Sequence, residues 1–74
     1  MAYEYPTGRD VLRLERMGHR WAVAFKGRHR AAWISADAAA KAAARRETGL
    51  PTWDRSWQDV SDDLLDWRPL GDSL

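Results

Sequence analysis

Between residues 11 and 34 apolar and polar side chains alternate, the period of strands with one buried face. Val11-Leu12-Arg13-Leu14-Glu15-Arg16 starts the pattern, and Met17-Gly18-His19 reads as a hairpin turn with Gly18 free to take positive φ. From Arg20 onward Trp21, Val23 and Phe25 fall on one side, and Arg20, Ala22, Ala24 and Lys26 on the other. Gly27-Arg28 reads as a second tight turn and residues 29–34 as a third strand, which completes an antiparallel meander.

The period then changes. Ser35 is a good helix N-cap, Asp37 follows in the first turn where the helix dipole favours negative charge, and residues 36–48 are mostly alanine. Asp37, Lys41 and Arg45 recur every four residues as a solvent stripe, and Gly49 is the expected stop. Further on, Trp53, Trp57, Val60, Leu64 and Trp67 step by four, three, four and three, the spacing of one face of a helix opening near Pro51 and closing before Pro69 and Gly71. On that helix Asp59, Asp62, Asp63 and Asp66 would share a separate acidic face. The same stretch also accommodates two short turns capped by Ser56 and Ser61. The expected fold is α+β: a three-stranded antiparallel sheet (β-β-β) followed by two helices. Both would pack on the sheet face that carries Leu12, Leu14, Trp21, Val23, Phe25 and one of Trp33 or Ile34. Residues 1–74 read as a single domain, with 1–7 an N-terminal arm and 71–74 a frayed tail.

With 74 residues and no cysteine, the chain has neither disulfides nor thiolate metal sites to hold it together, so stability rests on packing. Most of the five tryptophans are expected in the core, Trp57 among them. The start of the chain lacks the basic-then-apolar pattern of a signal peptide, and no apolar run approaches membrane-spanning length. The expected location is the cytoplasm of a bacterial host cell.

A net charge of +1 hides a strong polarity. Residues 1–46 hold ten basic side chains against four acidic ones, whereas residues 47–74 hold two basic against seven acidic. Such a chain presents opposite faces of charge or folds one onto the other.

Catalytic chemistry is not evident. His19 and His29 sit at turns or strand ends without a partner at ligand or general-base spacing. No serine occupies a nucleophile elbow, and the glycines form no phosphate loop. Asp62-Asp63-Leu64-Leu65-Asp66 spells DDxxD, the magnesium-diphosphate motif of isoprenoid synthases, but 74 residues cannot enclose the large helical cavity that chemistry needs. The chain is expected to be no enzyme, with no cofactor and no metal. Two binding surfaces remain. One is the acidic set Asp54, Asp59, Asp62, Asp63 and Asp66. The other is a basic sheet face of Arg13, Arg20 and Lys26, with Arg28 and Arg30 near the second turn, which could follow a phosphate backbone.

Trp21-Ala22-Val23-Ala24-Phe25, the turn, Ala32-Trp33-Ile34 and the run Ser35-Ala36-Asp37-Ala38-Ala39-Ala40 resemble the sheet-then-helix core of the Apetala-type DNA-binding domain and its relatives in phage integrase arms, over residues 20–44. That resemblance implies a sheet facing DNA with the helix behind it, and Arg20, Trp21, Arg28 and Arg30 turned to nucleic acid. In size and charge style the chain also resembles phage inhibitors of the anti-CRISPR kind, which block nucleic-acid channels of host machinery. The expected function is therefore a viral or mobile-element inhibitor that binds a nucleic-acid-handling protein complex through its acidic helical face. The alternative is a small DNA-binding module using the basic sheet.

Overall fold

The computed structural model describes residues 2–70. Five antiparallel strands form one sheet: β1 (Ala2–Pro6), β2 (Val11–Met17), β3 (Arg20–Phe25), β4 (Arg28–Trp33) and β5 (Arg68–Leu70), in the spatial order β4-β3-β2-β1-β5. One main helix, α1 (Ala36–Ala44), lies across β2, β3 and β4 on a single face. A one-turn helix, α2 (Pro51–Asp54), and a 3-10 turn (Leu64–Asp66) lie on the return path to β5.

The alternation is realised in the central strands. Leu12 and Leu14 of β2 stand beside Val23 and Phe25 of β3, all buried under Ala39, Ala40 and Ala43 of the helix. Alanine lets the helix backbone sit close to the sheet, because no longer side chain holds the two layers apart. Trp33, rather than Ile34, joins this core; Ile34 is exposed.

Two strands more than expected complete the sheet. Within the expected N-terminal arm, Ala2–Pro6 form β1, with Tyr3 opposite Leu14 and Tyr5 opposite Leu12, so this strand widens the apolar face. β5 closes the other side of β1, pairing Ala2 with Leu70 and Glu4 with Arg68. Pro69 is tolerated there because an edge strand needs its N–H on one side only. The tail expected to fray, 71–74, lies outside the described residues.

The second turn is Lys26-Gly27, one residue earlier than the sequence implied. Both residues have positive φ (50° and 79°), the signature of a type I′ hairpin, and Phe25 pairs with Arg28. This register puts Arg28 and Arg30 on the side of Phe25 and Val23, which is the helix side.

Ser35 caps α1 as expected, its hydroxyl accepting from the Ala38 N–H at 3.1 Å. The helix ends at Ala44, short of Gly49. Arg46 takes the left-handed conformation (φ 58°), and the N–H groups of Arg46 and Glu47 donate to the carbonyls of Ala43 and Ala42 at 3.1 and 2.9 Å. This is a Schellman stop made by an arginine.

The expected second amphipathic helix does not form. Its apolar residues still reach the core, since Trp53, Val60 and Trp67 are buried and Leu64 packs against them, but Trp57 is 80% exposed. The reason is local competition for backbone donors. The Ser56 hydroxyl accepts from the Gln58 N–H, the Ser61 hydroxyl from the Asp63 N–H, and the Asp63 carboxylate from the Leu65 N–H, each at 3.0 Å. Such short side-chain turns replace helical bonds.

Candidate functional site

The segment between α2 and β5 is an irregular chain pinned at both ends by buried tryptophans. Trp53 meets the Phe25 ring edge-on at 5.2 Å and donates its indole N–H to the Ala43 carbonyl at 2.9 Å. Trp67 packs on Tyr5 at 5.2 Å between ring centroids and donates to the Ser61 carbonyl at 2.9 Å. Arg46 holds the middle: its guanidinium donates to the Ser56 carbonyl at 3.0 Å and to the Gln58 carbonyl, and lies 3.7 Å from the Asp59 carboxylate. Gln58 in turn donates to Asp10 at 3.4 Å, tying the segment to the β1–β2 loop.

Held this way, residues 57–60 alternate. Gln58 and Val60 point inward; Trp57 and Asp59 point to solvent. Beyond them the compact turn of 61–66 presents Asp62, Asp63, Leu65 and Asp66 outward, with Leu65 90% exposed. The exposed side of 57–66 thus carries two large apolar groups among four carboxylates.

The five predicted acidic residues have unequal roles. Asp54 is committed internally: its carboxylate accepts from the Thr48 N–H (3.1 Å), the Thr48 hydroxyl (2.7 Å) and the Gly49 N–H (2.9 Å), which shapes the turn into α2. Asp59 faces Arg46, Asp63 caps the 3-10 turn, and Asp66 accepts from the Ser61 hydroxyl at 2.6 Å. Asp62 has no hydrogen bond or ion pair among the described residues. Asp59, Asp62, Asp63 and Asp66, without Asp54, share a surface with Trp57 and Leu65 rather than a helical face, and the acidic helical face is thereby corrected to an acidic, apolar loop.

The five predicted basic residues are not brought together. Arg13 and Arg20 lie on the open sheet face with Ala22 and Ala24, where Glu4 and Glu15 also stand; Glu15 is 3.8 Å from Arg13. Lys26, in the turn, lies 3.6 Å from Asp10 and 5.4 Å from the Phe25 ring centroid. Arg28 and Arg30 project on the helix side, so the single basic face is corrected to two separate groups. Trp21 also faces the helix side, packed against the core and 5.9 Å from Tyr3.

His29 is exposed on the open face opposite Ala24, and His19 is exposed in the first turn. Among the described residues no three His, Asp or Glu side chains converge on a metal-sized site, and no helix is long and apolar enough to cross a membrane. The sequence reading missed Arg46 as organiser and Trp57 as a surface residue. The hints were present: an arginine at the helix stop, and serines two residues before Gln58 and Asp63, where each hydroxyl can reach an N–H.

Comparison with protein-family models, with curated proteins and with solved structures returned no match.

Proposed function

We propose that this protein is a non-enzymatic binding module that docks on a basic, partly apolar protein surface through the exposed side of residues 57–66. The observation that carries the reading is Trp57, 80% exposed on a segment anchored on either side by buried tryptophans. Tryptophan is enriched among residues that dominate binding energy, and a pre-positioned one loses little conformational entropy on association. The carboxylates around it complement lysines and arginines, speeding encounter and setting orientation. Surfaces with that chemistry are the phosphate-gripping channels of nucleic-acid-handling complexes. An inhibitor of such a complex, in the style of small phage proteins, is the form of this function the charge pattern favours.

The test uses affinity capture from nuclease-treated bacterial lysate with the native chain and a Trp57→Ala, Leu65→Ala, Asp62→Lys variant. The expected result is a basic protein retained by the native chain, lost with the variant, and displaced by added DNA. Equal retention by both chains would remove 57–66 as the working surface. Retention that DNA does not disturb would remove the phosphate-gripping channel as its target.

A further inference from the structure

A second concave surface is lined by none of residues 57–66. It lies where β4 meets the chain after α1, in a cleft of about 290 Å³ lined by Arg30, Ala32, Trp33, Glu47, Thr48 and Gly49. That volume is at the low end for small-ligand sites and matches one ring system better than a larger molecule.

Three backbone features shape it. Ala31 pairs with Ala22 while Trp33 pairs with Trp21, so Ala32 is an extra residue, a bulge that turns the strand end and sets Ala32 and Trp33 into the cleft wall. Gly49 has φ +82°, and a Cβ there would stand 2.8 Å from the Arg30 guanidinium and 3.0 Å from its Cδ. Arg30 therefore occupies the space that a side chain at residue 49 would need. The Schellman stop then turns the chain so that Glu47 also lines the cleft.

Arg30 and Glu47 carry opposite charges into one small cleft, yet among the described residues neither side chain has a hydrogen bond or salt bridge. A half-buried indole stands beside them. A guanidinium, a carboxylate and an indole lining one cleft are the groups that suit a planar ring with paired acceptors and paired donors on its edges. We propose that this cleft holds one guanine base. Its O6 and N7 would accept from Arg30, its N1–H and N2–H groups would donate to Glu47, and its face would stack on Trp33. Arg28, two residues along β4 on the same face and about 7 Å away, is placed for the attached phosphate. Adenine lacks the paired donors Glu47 requires, and its exocyclic amine would meet Arg30 donor to donor. Free nucleotides and single strands both present this base, and the recognition chemistry is shared.

The experiment is a titration followed by amide and indole N–H resonances, using guanosine monophosphate, adenosine monophosphate, and short oligonucleotides of guanine or adenine. Guanosine monophosphate is expected to shift the Trp33 indole and Gly49 amide signals, with adenosine monophosphate at least about tenfold weaker. The guanine oligonucleotide binding more tightly than the mononucleotide assigns the base to a strand; equal binding assigns it to a free nucleotide. Glu47→Gln, at an exposed position, is expected to keep the melting temperature and abolish the guanine preference. Arg30→Lys keeps the charge but loses the paired donors, with the same expected loss of preference. Equal response to both nucleotides, preference unchanged in Glu47→Gln, or no shift of these signals at millimolar nucleotide would overturn the proposal.

Discussion

Arg46 shows how one side chain can set a surface. It adopts a left-handed backbone that costs a non-glycine residue about 1–2 kcal/mol, and its guanidinium then holds two carbonyls and a carboxylate of the 56–59 segment. Two substitutions separate backbone from side chain. Arg46→Ala keeps the strain and loses the clamp, and is expected to cost about 2 kcal/mol, or roughly 10 °C in melting temperature for a domain this small. Arg46→Gly loses the clamp but relieves the strain, so it should be about 1 kcal/mol more stable than the alanine variant. Thermal melts followed by circular dichroism check both; identical melts for the two variants would contradict this account. The tryptophans make a second contrast. Trp53→Ala removes a fully buried indole with its hydrogen bond, at an expected cost of about 3–5 kcal/mol, enough to unfold much of the population. Trp57→Ala should change stability by no more than about 0.5 kcal/mol, because its ring is in water. A chemical denaturation series measures both, and a large loss for Trp57→Ala would show that its ring packs.

At the scale of elements, what could be read from the sequence divides at the end of α1. The β2–β3–β4 meander and the helix behind it were legible because alternation and an alanine run with a serine cap are strong, local signals. The turn between β3 and β4 was misread by one residue, since lysine is an unusual choice for a positive-φ position. That error shifts the pairing by two residues, from Phe25 with Arg30 to Phe25 with Arg28, so it leaves the faces unchanged. Arg28 and Arg30 were grouped with the basic face by their closeness to the turn, whereas parity along β4 puts both with Phe25 and Val23. After residue 50 the steps of four and three from Trp53 to Trp67 imitate a helix. The buried residues are nearly those a helix would bury, but the chain reaches them by short serine and aspartate turns. The apolar pattern says which residues enter the core, whereas the backbone route depends on side-chain competition for N–H groups that a periodicity count ignores. β1 and β5 were missed for a related reason. Each is short, and each becomes a strand only through pairing with residues far along the chain.

For the whole molecule, the C-terminal strand guards an edge. Without β5, the long side of β1 would be open, with half-buried Tyr3 and Tyr5 beside it; with β5 in place, the exposed edge is three residues long and contains a proline. A variant ended after Trp67 is expected to self-associate through β1 and to melt at lower temperature. Sedimentation velocity at several concentrations would detect the association, and a monomer as stable as the native chain would contradict it. The same pairing decides how the protein bears load. Ala2 and Leu70 face one another at one end of the β1–β5 ladder. Tension applied at these residues therefore falls on one cross-strand pair at a time, starting with that one, and opens the ladder as a zip opens. A sheet pulled along its strands instead resists with all its rungs together. Held at Ala2 and Leu70, this domain would be a mechanically soft link, yielding first at β5 while the meander and helix stay folded.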